Sequence, residues 1–153
     1  MATISVQAHD FDAGAEAAAL ARRRTDVGAV VSLVGYCRDE GGRLAALELE
    51  HYPGMAEEEI ARVAGEAERR WPLLGVTLIH RYGRIAPGEQ IVLAAVAATH
   101  RRVAFEAAEM LMDYLKTRAP FWKRAIRSDG AVEGWIESKR EDDRSAARWS
   151  AAD

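Results

Sequence analysis

Basic side chains stand at both ends of the segment 99–125, in which residues 100–118 are expected to form a helix. His100 and Arg101 lie at its start, Lys116 lies near its end, and Lys123 follows just beyond. The helix dipole disfavours cations at the N-terminus, so the basic pair there is mildly unfavourable unless a negative group accompanies it. Helix N-termini also bind phosphate groups, and a bound anion would therefore remove this conflict.

Arg38, which closes an apolar segment in the first half, completes a candidate cationic site with these four residues. Such a site suits a small phosphorylated ligand, but its residue types do not define a reaction. Lys116 has two interpretations. It is either a surface lysine whose stem covers apolar surface, or a partly desolvated lysine suited to acid–base or nucleophilic chemistry. Lys123 is either an exposed strand residue or a head group held rigidly by Pro120 and two aromatic neighbours.

A single cysteine, Cys37, excludes an intrachain disulfide and a cysteine-rich zinc site. Beside Arg38 it could be an activated thiolate, although a small apolar filler in a strand is the favoured interpretation. His51, His80 and His100 lack the spacing of metal ligands, so neither a metal nor another cofactor is expected.

The chain has 153 residues and a net charge of −3, with 49% hydrophobic and 29% charged residues. This composition is typical of one globular domain, and it lacks the basic excess of nucleic-acid-binding proteins. Its longest apolar runs are far shorter than the roughly 20 residues that span a bilayer. The first residues do not form a signal peptide, so a cytoplasmic location without membrane contact is expected.

The hydrophobic patterns predict mixed strands and helices. The predicted strands cover 2–8, 28–39, 43–52, 76–85, 89–100, 121–127 and 132–138, and the predicted helices cover 13–24, 55–71 and 100–118. Glycines at 41–42 and the Pro-Gly pair at 87–88 indicate hairpin-like turns. The segment 89–100 is apolar on both faces and should be a central strand. This order favours an α+β fold with a largely antiparallel sheet, in a single domain over 1–153 with a charged tail at 139–153.

Several longer strings carry a resemblance to a known family. They are GAVVSLVGYCRD at 28–39, LELEHYPGMAE at 47–57, RW at 70–71, IHRYGRIAPGE at 79–89, THR at 99–101, FEAAEMLMDYLKTRAPFWKR at 105–124, and Trp135. In order and spacing, over nearly the whole chain, the sequence resembles the MoaE family, the large catalytic subunits of molybdopterin synthase.

The resemblance implies a fold of the α/β-hammerhead kind with an additional antiparallel β-sheet. It implies a sulfurtransferase that converts cyclic pyranopterin monophosphate into molybdopterin during molybdenum cofactor biosynthesis. The sulfur would arrive as a thiocarboxylate on the C-terminal Gly-Gly of a small ubiquitin-like partner subunit. Two large subunits would form a homodimer at the centre of a heterotetramer.

The resemblance also assigns roles to individual residues. Lys116 matches the leading catalytic candidate beside the partner's C-terminus, and Lys123 matches a second essential lysine. Both lysines are also expected to bind substrate, and the remaining matches are substrate-binding or pocket-lining residues: Tyr36, Cys37, Arg38, His100, Arg101, Arg124 and Ala125. The pair His100 and Arg101 is expected to act across the dimer.

Three positions depart from the family pattern. Ala125 stands where the family usually has glutamate, Leu33 where it has phenylalanine, and Lys139 where an arginine is common. The first departure leaves open an alternative, a non-catalytic paralogue that binds the pterin phosphate or the small partner without converting it.

Overall fold

A computed structural model describes residues 2–135 and 140–150, without the side chains of 140–142. The helices are α1 (Ala13–Ala19), α2 (Met55–Arg70), α3 (Arg101–Thr117) and α4 (Arg140–Ser150). The strands are β1 (Ala2–Gln7), β2 (Ala29–Tyr36), β3 (Leu44–His51), β4 (Leu73–Arg81), β5 (Gly83–Ile85), β6 (Gln90–Ala98) and β7 (Phe121–Arg127). None of the described helices is long and apolar enough to cross a membrane.

The larger of two sheets has the strand order β1-β4-β6-β2. Strands β1 and β4 are parallel, whereas β6 is antiparallel to both of its neighbours. Residues 92–98 of β6 are all buried, which confirms that this segment is a central strand. Successive side chains of a strand point to opposite faces. Val96 accordingly packs with α2 and α3, while Leu93 packs on the α1 side with Phe11 and Leu20.

Helix α3 covers this sheet with an apolar stripe that recurs every three or four residues. Met110 and Leu111 are 0% exposed and Tyr114 is 1% exposed, as the helical pattern predicts. Complete burial of one such aliphatic side chain stabilises the fold by about 1.5–3 kcal/mol. The stripe therefore fixes which face of α3 meets the sheet and leaves Lys116 on the outside.

The smaller sheet is antiparallel and has the order β5-β3-β7. One of its faces closes a second core, formed by Cys37, Leu44, Leu49, Ile85 and Ala125. Ile91 and Phe121 pack against both cores and thereby join the two sheets. Together, the two sheets and four helices confirm the predicted α+β class with an additional antiparallel sheet.

The predicted arrangement of strands is wrong at three places. The expected single strand at 76–85 divides into β4 and β5, because Gly83 adopts a φ of +93° and turns the chain into the other sheet. The glycines at 41–42 do not close a hairpin, since β2 pairs with β6 and β3 pairs with β5 and β7. The turn at 87–88 likewise joins strands of different sheets.

Two predicted elements are too long. Helix α1 ends at Ala19 rather than 24, because the next residues form i→i+3 bonds and Arg23 takes a left-handed φ of 59°. The predicted strand at 132–138 is reduced to one bridge between Val132 and Ile126, and its last three residues lie outside the described part of the chain. The charged tail predicted at 139–153 contains α4 over 140–150.

Candidate active site

Lys116 lies in the last turn of α3, exposed beside the buried pair Tyr114 and Leu115. Only two residues separate β6 from α3, so the helix must fold back over the sheet along the strand that precedes it. Its C-terminal turn therefore returns towards the beginning of β6, where Ile91 and Val92 pack in the same core as Tyr114 and Leu115. A lysine at a helix C-terminus also interacts favourably with the helix dipole.

Lys123 lies on β7, half-buried, on the same face of the strand as Phe121 and Ala125. The ring of Phe121 stacks on His80 of β4, with centroids 3.8 Å apart and an interplanar angle of 12°. Pro120 and this stack hold the start of β7 in place. Of the two interpretations of Lys123, this packing favours the head group that Pro120 and its aromatic neighbours hold rigidly.

Both lysines act electrostatically on His80. Burial is the main cause that lowers the pKa of His80 to about 4, and the charges of Lys116 and Lys123 contribute to the same shift. The C-terminal turn of α3 and the start of β7 therefore both lie within electrostatic range of the His80 imidazole. The structure thus brings together the two catalytic candidates of the sequence.

Tyr36 is the last residue of β2, and Cys37 and Arg38 follow it at the sheet end where β6 begins. The backbone N–H of Cys37 donates to Glu89 at 2.8 Å, and the N–H of Gly88 donates to the Cys37 carbonyl at 2.7 Å. Tyr36 and Arg38 are exposed on either side of this anchor. Arg38 is therefore held at the same end of the larger sheet to which Lys116 returns.

Cys37 is only 1% exposed and packs in the second core. Burial is the main cause that raises the pKa of its thiol, so the group stays protonated and apolar at neutral pH. The favoured interpretation of Cys37 as a small apolar filler agrees with this environment. Its side chain does not face the solvent beside Arg38.

His100 and Arg101 lie at the opposite end of α3. The helix has 17 residues and is therefore about 24 Å long. His100 is its N-cap without a side-chain capping bond, and no acidic residue stands in the first turn. Both residues are exposed. Within one chain, the structure consequently keeps this pair apart from Lys116 and leaves the basic helix start without a negative group.

Arg124 and Ala125 differ in their surroundings. Arg124 points to the outer face of β7, where it pairs with Glu48 at 2.5 Å and lies 4.5 Å over the Trp135 ring. Ala125 is 8% exposed and its side chain lies in the second core, on the same face of β7 as Lys123. Lys139 lies outside the described residues.

Sequence reasoning missed the aromatic group beneath the lysines. His51 lies 4.3 Å from Tyr82 and 5.9 Å from Phe121, measured between ring centroids, and Phe121 in turn stacks on His80. The four rings come from β3, β7, β4 and Tyr82, the residue that follows β4, and these segments are distant in the chain. In the sequence, the one signal for this group is His80, a histidine that follows the largely apolar run 76–79 of a predicted strand.

Comparisons with known proteins agree on one family. A family model described as MoaE protein matches residues 6–118. The molybdopterin synthase catalytic subunit of Mesorhizobium japonicum is 61% identical, over 98% of this chain and 94% of that protein. The molybdopterin biosynthesis MoaE protein from Burkholderia ambifaria has a TM-score of 0.84 at 49% identity, over 98% of this chain and 99% of that one.

A more distant solved structure has the same fold. It is the protein–protein complex of subunits 1 and 2 of molybdopterin-converting factor from Helicobacter pylori, with a TM-score of 0.69 and 20% identity. The match covers 91% of this chain and 90% of that one.

Proposed function

Because the chain belongs to the MoaE family, we propose that the lysine pair around His80 is the catalytic centre of a sulfur transfer. The chain is an enzyme of molybdenum cofactor biosynthesis, of the molybdopterin synthase catalytic-subunit type. It converts cyclic pyranopterin monophosphate into molybdopterin with sulfur from the C-terminal thiocarboxylate of a small ubiquitin-like partner. The observation that supports the site assignment is the stack of Phe121 on His80, since Lys123 lies on the same face of β7 as Phe121 and both lysines act electrostatically on that imidazole.

The ammonium groups supply what the transfer requires. When the thiocarboxylate sulfur is passed on, negative charge develops on the carbonyl of the partner's last glycine. A positioned cation stabilises such charge more in the transition state than in the ground state. Lys116 is exposed at a helix end and can meet an incoming tail, while half-buried Lys123 faces the same region from β7.

The sulfur carrier is the partner rather than this chain. Cys37 is the single cysteine, and its buried, protonated thiol is a poor nucleophile. A C-terminal Gly-Gly tail has no side chains beyond hydrogen, so its backbone can come close to the lysines. We place this reaction in the cytoplasm, where thiols are kept reduced.

Strand β2 gives the chain a surface for a second copy. It is an edge of the larger sheet and pairs only with β6 among the described residues. Ser32 and Leu33 are exposed in the middle of this edge. Exposed edges pair readily with another strand, and a two-fold axis would make two β2 strands antiparallel.

Such a dimer would join the two halves of the site. Residue 29 of one copy would lie beside residue 36 of the other, so the start of β2 would meet the end of its partner strand. The start of β2 lies near His100, because the N–H of Gly28 donates to the Ala98 carbonyl at 3.0 Å. The end of β2 leads to Arg38 and the lysines. His100 and Arg101 would then bind the substrate phosphate for the neighbouring protomer.

Reconstitution tests the proposed function. Mixing the protein with a thiocarboxylated small partner and cyclic pyranopterin monophosphate should yield molybdopterin, detected as its fluorescent oxidation product. The alternative, a non-catalytic paralogue, predicts a tight complex without product under single-turnover conditions. Ala125 motivated that alternative, but its side chain is buried in the second core and both lysines are present, so we favour the enzyme.

Cys37→Ser should retain turnover at close to the level of the unchanged protein, because the thiol is buried and is not the sulfur carrier. The backbone N–H of Leu47 lies next to this sulfur and can donate a hydrogen bond to the serine hydroxyl. The loss in the free energy of unfolding should therefore be only about 1 kcal/mol. Turnover per folded protein and thermal unfolding measure the two effects, with Cys37→Ala as the control. Loss of transfer in both folded variants would instead support a persulfide route through Cys37.

A further inference from the structure

The imidazole of His80 is fixed in one orientation. One face of the ring stacks on Phe121, and Nδ1 lies 2.9 Å from the backbone carbonyl of Arg81. A carbonyl oxygen only accepts hydrogen bonds, so Nδ1 carries the proton and donates it. With a pKa of about 4 the ring is neutral at pH 7, and Nε2 therefore presents a lone pair.

Two lysines act on this ring. His80 lies opposite Val92 of β6, and Val92 packs in the same core as Tyr114 and Leu115 of the last turn of α3. Lys116 of that turn has a larger electrostatic effect on His80 than Lys123 of β7. The guanidinium of Arg81 is directed elsewhere, to the carbonyls of Ala8 and Gln90. His80 is thus a neutral acceptor among positive charges.

The lone pair of Nε2 remains available. The only hydrogen bond found for this ring among the described residues is the one at Nδ1. No fully buried side-chain nitrogen or oxygen in the described part of the chain lacks a partner, so Nε2 reaches solvent-accessible space. An ammonium group can donate three hydrogen bonds and seeks acceptors of this kind.

We propose that His80 is a positioning residue for Lys116, whose ammonium donates a hydrogen bond to Nε2 when the partner's tail occupies the site. The bond aims the cation at the carbonyl of the thiocarboxylate, and the rigid stack on Phe121 supplies the fixed point. A neutral acceptor performs this role without neutralising the ammonium, whereas a carboxylate would pair with it. This inference rests on the proposed function and deepens its site.

Two substitutions separate positioning from packing. His80→Phe keeps the aromatic stack but removes the acceptor, and His80→Gln removes the stack but carries an amide oxygen to the level of Nε2. We expect kcat to fall about tenfold or more in the phenylalanine variant, with the KM for the thiocarboxylated partner unchanged. The glutamine variant should recover most of kcat. A packing role predicts the reverse order.

The outcome is decisive even if one variant folds poorly. His80→Asn places its amide at the level of Nδ1 and leaves no acceptor at the level of Nε2. Its kcat should therefore be lower than that of His80→Gln. Circular dichroism and thermal unfolding identify the folded variants. Full kcat in folded His80→Phe, or equal kcat for the asparagine and glutamine variants, would overturn the inference. If Lys116→Ala is itself fully active, the site assignment fails instead.

Discussion

Lys116→Ala should reduce molybdopterin formation by about 100- to 1000-fold, the usual loss when one preorganised group that stabilises developing charge is removed. The side chain is exposed at the end of α3, so its truncation should change the free energy of unfolding by no more than about 0.5 kcal/mol. The measurement is single-turnover product formation with saturating thiocarboxylated partner. It separates the chemical step from partner binding.

Matched variants make the Lys116 result specific. Lys116→Arg keeps the charge in a planar, forked head group and should recover only part of the rate, because the ammonium is a compact point charge. Arg22→Ala removes one exposed positive charge beyond α1, and α1 packs on the other face of the larger sheet, so it should leave the rate unchanged. Undiminished product formation by Lys116→Ala would remove Lys116 from the catalytic role.

Local sequence patterns predict the parts of this fold that depend on neighbours in the chain. The buried stripe of α3 follows from apolar residues at helical spacing, and the central position of β6 follows from an uninterrupted apolar run. The pattern also leaves Lys116 outside the stripe, as the structure does. In these two elements the local pattern of apolar residues is sufficient to predict which residues are buried.

Strand pairing is a long-range property and could not be predicted in the same way. The division of 76–85 into β4 and β5 depends on which strands are available in each sheet, and only Gly83 gives a local hint of it. The hairpin expected at 41–42 fails for the same reason, since β3 finds its partners in β5 and β7. The local sequence of a strand does not indicate which partner strand it will pair with.

The candidate site was predictable by type but not by arrangement. The sequence identifies the basic residues, and its resemblance to the MoaE family assigns them roles. It does not indicate that Lys116 and Lys123 both act on His80, because α3, β7 and β4 are brought together by tertiary packing. The separation of His100 from Lys116 within one chain, in contrast, follows from the helix predicted at 100–118, which α3 confirms.

That separation leads to the second large expected effect, which is the recovery of activity in a mixed dimer. His100→Ala and Lys116→Ala should each be nearly inactive as homodimers. If His100 of one protomer serves Lys116 of the other, a heterodimer of the two variants contains one site with both residues intact. In a symmetric dimer with two independent sites, this heterodimer should show about half of the unchanged activity.

The experiment requires co-expression of the two variants with different affinity tags and purification of the doubly tagged dimer. His100 is exposed and forms no side-chain capping bond, so its replacement should not disturb α3. The control pairs Lys116→Ala with Lys123→Ala. Both lysines belong to the same half of the site, so each site of that heterodimer lacks one lysine and activity should stay low.

The comparison between the two heterodimers decides between the possible site arrangements. Recovery in the His100 and Lys116 pair alone requires a site shared by two protomers, as antiparallel β2 edges would build it. If every site were contained in one chain, each protomer of that pair would keep its own defect and activity would remain at the level of the homodimers. A failure to recover would therefore exclude His100 as a partner of Lys116 across the dimer, while the assignment of Lys116 itself would stand on its single-variant result.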